Sequence, residues 1–287
     1  MQRDDSEWTQ VTRRSGKPDA RTEQQRRNAK ELSLALKADD GSGKADSPPA
    51  LLVESVRQRA LALRLTAFYA EVQAALSTRR FRSLVSLGIG NFASSKPALL
   101  QLALALCLHE DYLDRGDEGH ASAAYDPHFT EREAEACRAL GMSVPPTDAD
   151  LLSGAAGPTL FLMPHCPYRL YAEVLWHSWH ALPFVTILGN SFAAYALRSL
   201  PSSLPPACDS VHLLQGLTTE RGLWRPEHAS PPTGSTRLAA RESIYPHMEG
   251  AFGDMSAHTF RDLPIEGGPV RPSRQALDSL APSDSDA

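Results

Sequence analysis

Residues 83–97 read SLVSLGIGNFASSKP, and this stretch decides the class of fold that the sequence encodes. Ser83–Leu87 is an apolar run with the length of a buried strand, and a glycine ends it. Ser94, Ser95 and Pro97 then predict a helix start, because serine caps the first turn and proline fits inside it. A strand that runs through a glycine loop into a helix is typical of a parallel α/β sheet.

The same alternation of strand and helix extends in both directions. A capping box at residues 130–133 opens a helix after the second strand, and residues 51–80 predict one long amphipathic helix before the first. Further strands are predicted at 121–125, 142–144, 159–163 and 184–188. The sequence therefore predicts an open, mostly parallel, Rossmann-like α/β sheet with helices on both faces.

Composition divides the chain into a central domain and two flanks. Residues 1–47 are polar and partly basic, so we expect them to be mostly disordered, and we expect the same of a C-terminal tail at 266–287. The α/β domain is predicted to occupy residues 48–265, with a proline- and serine-rich loop insertion at 198–240.

Charge and cysteine content exclude several classes of protein. The 287 residues carry a formal net charge of −5, which argues against a globally basic binder of nucleic acid. Only the tract at 11–30 is basic. Such a tract is typical of a nuclear-localisation or RNA-contact segment, and a solvated tail is the alternative. The four cysteines form no CxxC pair and no apolar run reaches about 20 residues. We expect a cytoplasmic protein, with a nuclear location left open, that holds no metal and binds no membrane.

Polar residues collect where the predicted strands end. In open α/β sheets, ligands bind beyond the carboxyl ends of the strands, so clusters at four strand ends predict a shared cleft. The candidate ligand-binding residues in these clusters are Gly88, Gly90, Asn91, Ser94, Ser95, Asp126, His165, Cys166, Asn190 and Ser191.

The glycine loop after the first strand has both a structural and a ligand-binding interpretation. It lacks the glycines of a dinucleotide fingerprint and the spacing of a P-loop, and a methyltransferase-like loop would carry an acid where Ser86 stands. The helix start at Ser95 offers free N–H groups to an anion, and Asp126 is placed to hold a ribose. A simple structural turn explains the loop equally well.

His165 and Cys166 also leave two interpretations open. Their side chains diverge because they are adjacent, so they do not form a nucleophile–base pair. A thiol before a helix is placed for a lowered pKa, whereas a kinked turn between two prolines makes His165 a hydrogen-bonded linker. Asn190 is typical of a turn, and its amide is equally able to contact a ligand.

A late motif adds candidates from outside the predicted sheet. Asp254, Ser256 and His258 stand at alternate positions, so a strand would point all three to one side, and three polar groups together are not expected in the core. We predict that this segment folds onto the carboxyl edge of the sheet and brings His258 near His165 or Asn91. A surface hairpin or a solvated edge strand is the alternative.

Taken in order, these motifs resemble the sensitivity-to-red-light-reduced (SRR-like) family. The resemblance is dense over residues 81–195. It rests on SLGIGNFASSKPALLQLAL, YDPHFTEREAEACRALG, PTLFLMPHCPYRLYAEVLW and ILGNSFAAY there, and on EWTQVTRR near the start and FGDMSAHTF near the end of the chain.

The resemblance implies a regulatory role and a fold similar to Rossmann-type domains, but it fixes no reaction and no cofactor. Members of the family are associated with circadian-clock input, with control of haem biosynthesis and, in fungi, with microtubule-related phenotypes. Three hypotheses follow. They are a regulatory protein acting through a small-molecule ligand or protein partner, an enzyme with a nucleotide-like cofactor such as a divergent methyltransferase, and a non-catalytic interaction scaffold.

Overall fold

The computed structural model of the chain describes residues 48–77, 79–114, 121–152, 157–198, 210–230, 244–262 and 268–278. The predictions for the N-terminal segment, including its basic tract, lie outside these residues, as do residues 199–209 and 231–240 of the predicted loop insertion.

The described residues form six strands and ten α-helices. The strands are β1 (Ser83–Leu87), β2 (Ala121–Tyr125), β3 (Thr159–Met163), β4 (Val185–Asn190), β5 (Thr218–Gly222) and β6 (Met255–Phe260). The helices are α1 (Pro49–Leu63), α2 (Ala67–Leu76), α3 (Lys96–Tyr112), α4 (Glu131–Ala139), α5 (Ala149–Leu152), α6 (Tyr168–His177), α7 (Phe192–Arg198), α8 (Ser210–Leu214), α9 (Tyr245–Phe252) and α10 (Arg274–Asp278). Short 3₁₀ turns occupy Trp179–Phe184, Gln215–Leu217 and Pro226–Ala229.

The strands form one mixed sheet in the order β2-β1-β3-β4-β6-β5. The first four strands are parallel, whereas β6 is antiparallel to both of its neighbours, β4 and β5. The predicted open, mostly parallel, Rossmann-like sheet is confirmed.

The parallel strands are apolar on both sides because helices cover both faces of the sheet. Leu160 and Leu162 of β3 point into a core shared with α1, α2, α3 and α9. Phe161 and Met163 point the other way, into a core shared with α6, α7 and α8. The strand ends therefore form the accessible edges of a sheet whose faces are closed.

The long helix predicted over residues 51–80 is wrong, since α1 and α2 are separate. Thr66 divides them: its hydroxyl donates to the carbonyl of Leu63 at 2.7 Å and accepts from the N–H of Tyr69 at 3.1 Å. A threonine hydroxyl at a helix start bonds to backbone groups that would otherwise continue the helix. These bonds outweigh the helix propensity of the residues around Thr66.

Three further expectations need correction. The part of the predicted loop insertion that is described contains α8 and the strand β5. The brief strand predicted at 142–144 is a single bridge between Ser143 and Ala123. Part of the predicted C-terminal tail is packed on the domain: Leu277 of α10 is fully buried, and the guanidinium of Arg271 lies 3.6 Å from the ring centre of Trp176.

The capping box that opens α4 is confirmed, with Thr130 and Glu133 bonded reciprocally. Among the helices in the described ranges, none combines the length and the apolar character needed to cross a membrane.

Candidate functional site

The topology brings every strand end that carries a candidate residue to one edge of the sheet. β1 to β4 are parallel, so their carboxyl ends coincide there. The start of β6 lies at the same edge, because Met255 pairs with Asn190, and so does the end of β5, because Gly222 pairs with Ser256. We call this rim the carboxyl edge.

The glycine loop after β1 is fastened to the loop after β2. Asp126 is buried, and its carboxylate accepts from the N–H of Gly90 at 2.7 Å and from the N–H of His128 at 2.8 Å. Gly90 has a φ of +76°, in the left-handed region that glycine adopts readily. Both carboxylate oxygens of Asp126 are thus engaged by backbone, as expected of a residue that shapes the loop.

The reactive-thiol interpretation of Cys166 is wrong. The thiol is buried and donates to the carbonyl of Leu87 at 3.3 Å, and burial, followed by the charge of Asp126, raises its pKa. A Cβ at Gly88, where φ is +68°, would lie 2.5 Å from the Cys166 sulfur. Gly88 therefore allows the ends of β1 and β3 to pack together.

Asn91, Ser94 and Ser95 begin α3. The side-chain carbonyl of Asn91 accepts from the N–H of Ser94 at 3.1 Å, and Ser95 is the N-cap, accepting from the N–H of Ala98 at 3.3 Å. Buried Glu133, which sequence reasoning assigned only to the capping box, also accepts from the N–H of Ala93 at 2.8 Å. The β1–α3 loop is thus fixed by polar groups from two other segments.

Asn190, the last residue of β4, forms hydrogen bonds with four residues from other parts of the chain. Its side chain accepts from the N–H of His165 at 2.7 Å and donates to the hydroxyl of Tyr195 at 2.8 Å. Its backbone N–H donates to the hydroxyl of Tyr171 at 2.7 Å, and its carbonyl accepts from Nε2 of His258 at 3.0 Å. The two tyrosines were not among the predicted site residues, although both fall in motifs that carry the family resemblance.

His165 and Asp254 both lie at the carboxyl edge in left-handed backbone conformations. Their φ values are +52° and +67°, which few non-glycine residues adopt. The His165 residue as a whole is exposed, but its imidazole is partly desolvated, and this desolvation lowers the pKa of the side chain. The carbonyls of Ala251 and Gly250 and the charge of Asp254 oppose that shift. Such outliers persist where surrounding structure holds them, often at functional sites.

His258 lies neither in the shared polar cleft that we predicted for it nor on the solvated strand that was the alternative. β6 lies inside the sheet, and His258 is 0% exposed, stacked on Phe192 with ring centres 3.9 Å apart. Ser256 shares its face and is also buried, whereas Asp254 precedes the strand at the left-handed turn. His258 does not contact His165 or Asn91; it is connected to the His165 loop through Asn190.

A cleft of about 670 Å³ opens at the carboxyl edge beside β5 and β6. Ser191, Asp254 and Ser256 are the predicted site residues that line it. Its remaining walls are Ala193, Glu220, Gly222, Trp224 and Met255, of which Glu220 and Trp224 lie in a segment that the sequence assigned to a loop. Another cavity, of about 360 Å³, adjoins α1, α3 and α4 and contains no predicted site residue.

Curated proteins from animals and a plant are similar to the chain. An SRR1-like protein of Drosophila melanogaster is 29% identical over 186 residues, which cover 64% of this chain and 57% of that protein. An SRR1-like protein of Mus musculus is 36% identical over 120 residues, covering 40% and 47%. The Arabidopsis thaliana protein Sensitivity to Red Light Reduced 1 is 29% identical over 127 residues, covering 44% and 45%. The chain thus spans about half the length of these relatives.

Among solved structures, the plantazolicin methyltransferase BpumL in complex with SAH has a TM-score of 0.31 and 14% identity, over 83% of this chain and 98% of that one. A similarity of this size carries no argument about function. The SRR1 domain model, in contrast, matches residues 52–259, from α1 to the end of β6, and includes every candidate site residue. The chain therefore belongs to the SRR1 domain family.

Proposed function

We propose that the chain is a regulatory SRR1-family protein that acts through a small-molecule ligand or a protein partner bound at the carboxyl edge. The observation that supports this role is the way the strand-end loops are fixed to one another. Gly90 is bonded to Asp126, and His165 to Asn190, each across a pair of loops. A rigid rim beside an open cleft is suited to recognition, since binding then orders little further backbone.

The finer proposal is a role in circadian-clock input, in control of haem biosynthesis, or in both, with the protein in the cytoplasm and the nucleus. Membership of the SRR1 family supports it, as does the name of the Arabidopsis relative, which refers to red-light sensitivity.

The test replaces His165 by Asn, which removes the imidazole but tolerates a positive φ. His180→Asn is the matched control, because His180 is exposed near the amino end of β4, at the opposite edge of the sheet. Both variants are introduced into cells of the source organism that lack the endogenous gene. Rhythm period and transcripts of haem-synthesis enzymes are then measured.

We expect His165→Asn to fail and His180→Asn to restore regulation. His180→Asn should change the free energy of unfolding by no more than about 0.5 kcal/mol, as surface substitutions do. His165→Asn should remain folded and lose about 0.5–1.5 kcal/mol, because the imidazole no longer interacts with the carbonyls of Ala251 and Gly250. Full restoration by a stable His165→Asn protein would contradict the proposal.

The strand order favours a second candidate, an enzyme with a nucleotide-like cofactor such as a divergent methyltransferase. The bridge between Ser143 and Ala123 adds a position beyond β2, and β6 is a single antiparallel strand inserted between β4 and β5. Class I methyltransferases have this order. The analogy concerns the fold alone, because one fold carries many functions.

A thermal-shift screen separates these functions. S-adenosylmethionine, NAD(P), nucleotides and haem are each added to the purified protein. A ligand at 100 times its dissociation constant stabilises by about 2.7 kcal/mol, which raises the melting temperature measurably. Stabilisation by S-adenosylmethionine would favour the enzyme, and no shift with any compound would favour a protein partner or a non-catalytic scaffold.

A further inference from the structure

The cleft beside β5 and β6 is lined by hydrogen-bond acceptors. Glu220 and Asp254 contribute carboxylates, Ser191 and Ser256 contribute hydroxyls, and Trp224 contributes an aromatic ring. Of the described residues that line the cleft, none is a lysine, an arginine or a histidine.

The two arginines nearest to the cleft in sequence are turned away from it. Arg221 on β5 pairs with Glu71 of α2 at 2.9 Å, and Arg225 reaches the same carboxylate at 3.5 Å. Because side chains alternate along a strand, Glu220 and Arg221 point to opposite faces of the sheet. These arginines are therefore paired with Glu71, and Arg221 points away from Glu220.

Behind Glu220 lies a buried acceptor that lacks a donor. Nε2 of His258 must carry a proton, because its partner at 3.0 Å is the carbonyl of Asn190, which only accepts. In the neutral ring Nδ1 is then a lone-pair acceptor, and it has no hydrogen-bond partner in the described part of the chain. The side chain is 0% exposed, and Nδ1 faces Oε2 of Glu220 at 4.0 Å.

Nδ1 of His258 and the Glu220 carboxylate are thus two acceptors that face each other without a donor between them. Glu220 Oε2 already accepts from the N–H of Ala193 at 3.0 Å, so it offers no hydrogen. A single donor nitrogen about 2.8–3.0 Å from each atom would bridge the gap. Buried acceptors are normally satisfied, and each one left unpaired is costly.

We propose that this cleft binds an organic cation that donates hydrogen bonds, an ammonium or guanidinium group, between Glu220, Asp254 and the Nδ1 of His258. Trp224 also lines the cleft, and aromatic rings attract such cations. This inference rests on the proposed function, because it specifies the chemistry of a ligand for the carboxyl edge. The cation belongs either to a free small molecule or to an arginine side chain of a protein partner.

The test is a titration of the full-length, ¹⁵N-labelled protein with agmatine, followed by NMR. We expect the indole N–H of Trp224, assigned with a Trp224→Phe variant, and the ring nitrogens of His258 to shift together and to saturate. Sodium heptanoate, an anion with the same number of non-hydrogen atoms, should produce no saturable shift. A blocked arginine peptide is titrated in parallel. Tighter binding of the peptide than of agmatine identifies a partner's side chain as the source, and weaker binding identifies a small molecule.

Glu220→Gln should weaken agmatine binding by about tenfold or more, because it removes the charged partner. Glu227→Gln is the matched control: it makes the same change of charge at an exposed position in the neighbouring 3₁₀ turn and should bind like the wild type. If Glu220→Gln does not fold, Asp254→Asn carries the test, since asparagine tolerates the positive φ at that position.

The absence of saturable shifts with agmatine, or unchanged affinity in a folded Glu220→Gln protein, would overturn the inference. Its failure is distinct from failure of the proposed function. Agmatine binding together with full cellular activity of His165→Asn would leave the cation site intact and remove the regulatory proposal. Loss of activity in His165→Asn, together with no binding of agmatine, would remove the cation site and leave the regulatory proposal intact.

Discussion

The hydroxyl of Tyr171 is predicted to hold the ends of β3 and β4 together, and replacing Tyr171 by Phe tests this. The side chain is fully buried. Its hydroxyl donates to the carbonyl of Met163, the last residue of β3, and accepts from the N–H of Asn190, the last residue of β4, at 2.7 Å. Phenylalanine keeps the ring and removes only the oxygen between these two backbone groups.

The expected loss of stability follows from those two bonds. A buried backbone group left without a partner costs about 1–3 kcal/mol, so a carbonyl and an N–H together should lower the free energy of unfolding by about 2–6 kcal/mol. For a domain of this size, that corresponds to a fall of roughly 4–24 °C in melting temperature. Urea denaturation of the full chain, followed by tryptophan fluorescence and circular dichroism, measures the loss directly.

Tyr125→Phe is the control. Tyr125 also ends a strand, β2, but its hydroxyl makes no hydrogen bond within the described ranges, so a change of no more than about 0.5 kcal/mol is expected. If Tyr171→Phe costs less than 1 kcal/mol, the carbonyl of Met163 and the N–H of Asn190 bond directly once the oxygen is gone. The hydroxyl would then not determine the geometry of the edge, and the reasoning would be refuted.

Two further predictions concern pH and the C-terminal segment. Burial lowers the pKa of His258 to about 4, against an opposing effect of the Glu220 charge, so between about pH 6.5 and pH 4 the unfolded chain binds a proton that the native protein does not. The free energy of unfolding should therefore fall as the pH drops through this window. Urea denaturation at a series of pH values should show a smaller fall for a folded His258→Gln protein. An equal dependence on pH in the two proteins would contradict this. Deleting residues 268–287 should lower the free energy of unfolding by about 1.5–3 kcal/mol, because Leu277 is fully buried. Deleting residues 279–287 alone is the control and should leave it nearly unchanged. Equal melting curves for the two truncated proteins would exclude docking of α10.

The sequence by itself determined the parallel part of the sheet. The apolar runs at β1 and β3 are local signals, because a strand buried on both faces has to be apolar at every position. Helix starts are equally local: the capping box of α4 uses only Thr130 and Glu133. These signals also located the strand-end clusters, and parallel order alone was enough to place those clusters at one edge.

The tertiary structure decided what the polar residues at that edge do. Gly90 bonds to Asp126 across 36 residues, and His165 bonds to Asn190 across 25. Nothing within either motif identifies these partners, so the sequence leaves a ribose ligand at Asp126 and a reactive thiol at Cys166 open beside purely structural roles. Packing against distant parts of the chain favours the structural roles, since it engages the carboxylate with backbone N–H groups and raises the pKa of the thiol.

The same reason explains why β5 and the interior position of β6 and His258 were not predicted, although a strand carrying Ser256 and His258 was considered. Thr218–Gly222 has no apolar alternation, and it becomes a strand because β6, more than 30 residues later in the chain, pairs with it. His258 is buried because β4, β5 and α7 surround it, although Ser256 and Asp254 at the preceding alternate positions are polar. Pairing between strands is non-local, so context outweighs the propensity of the residues themselves.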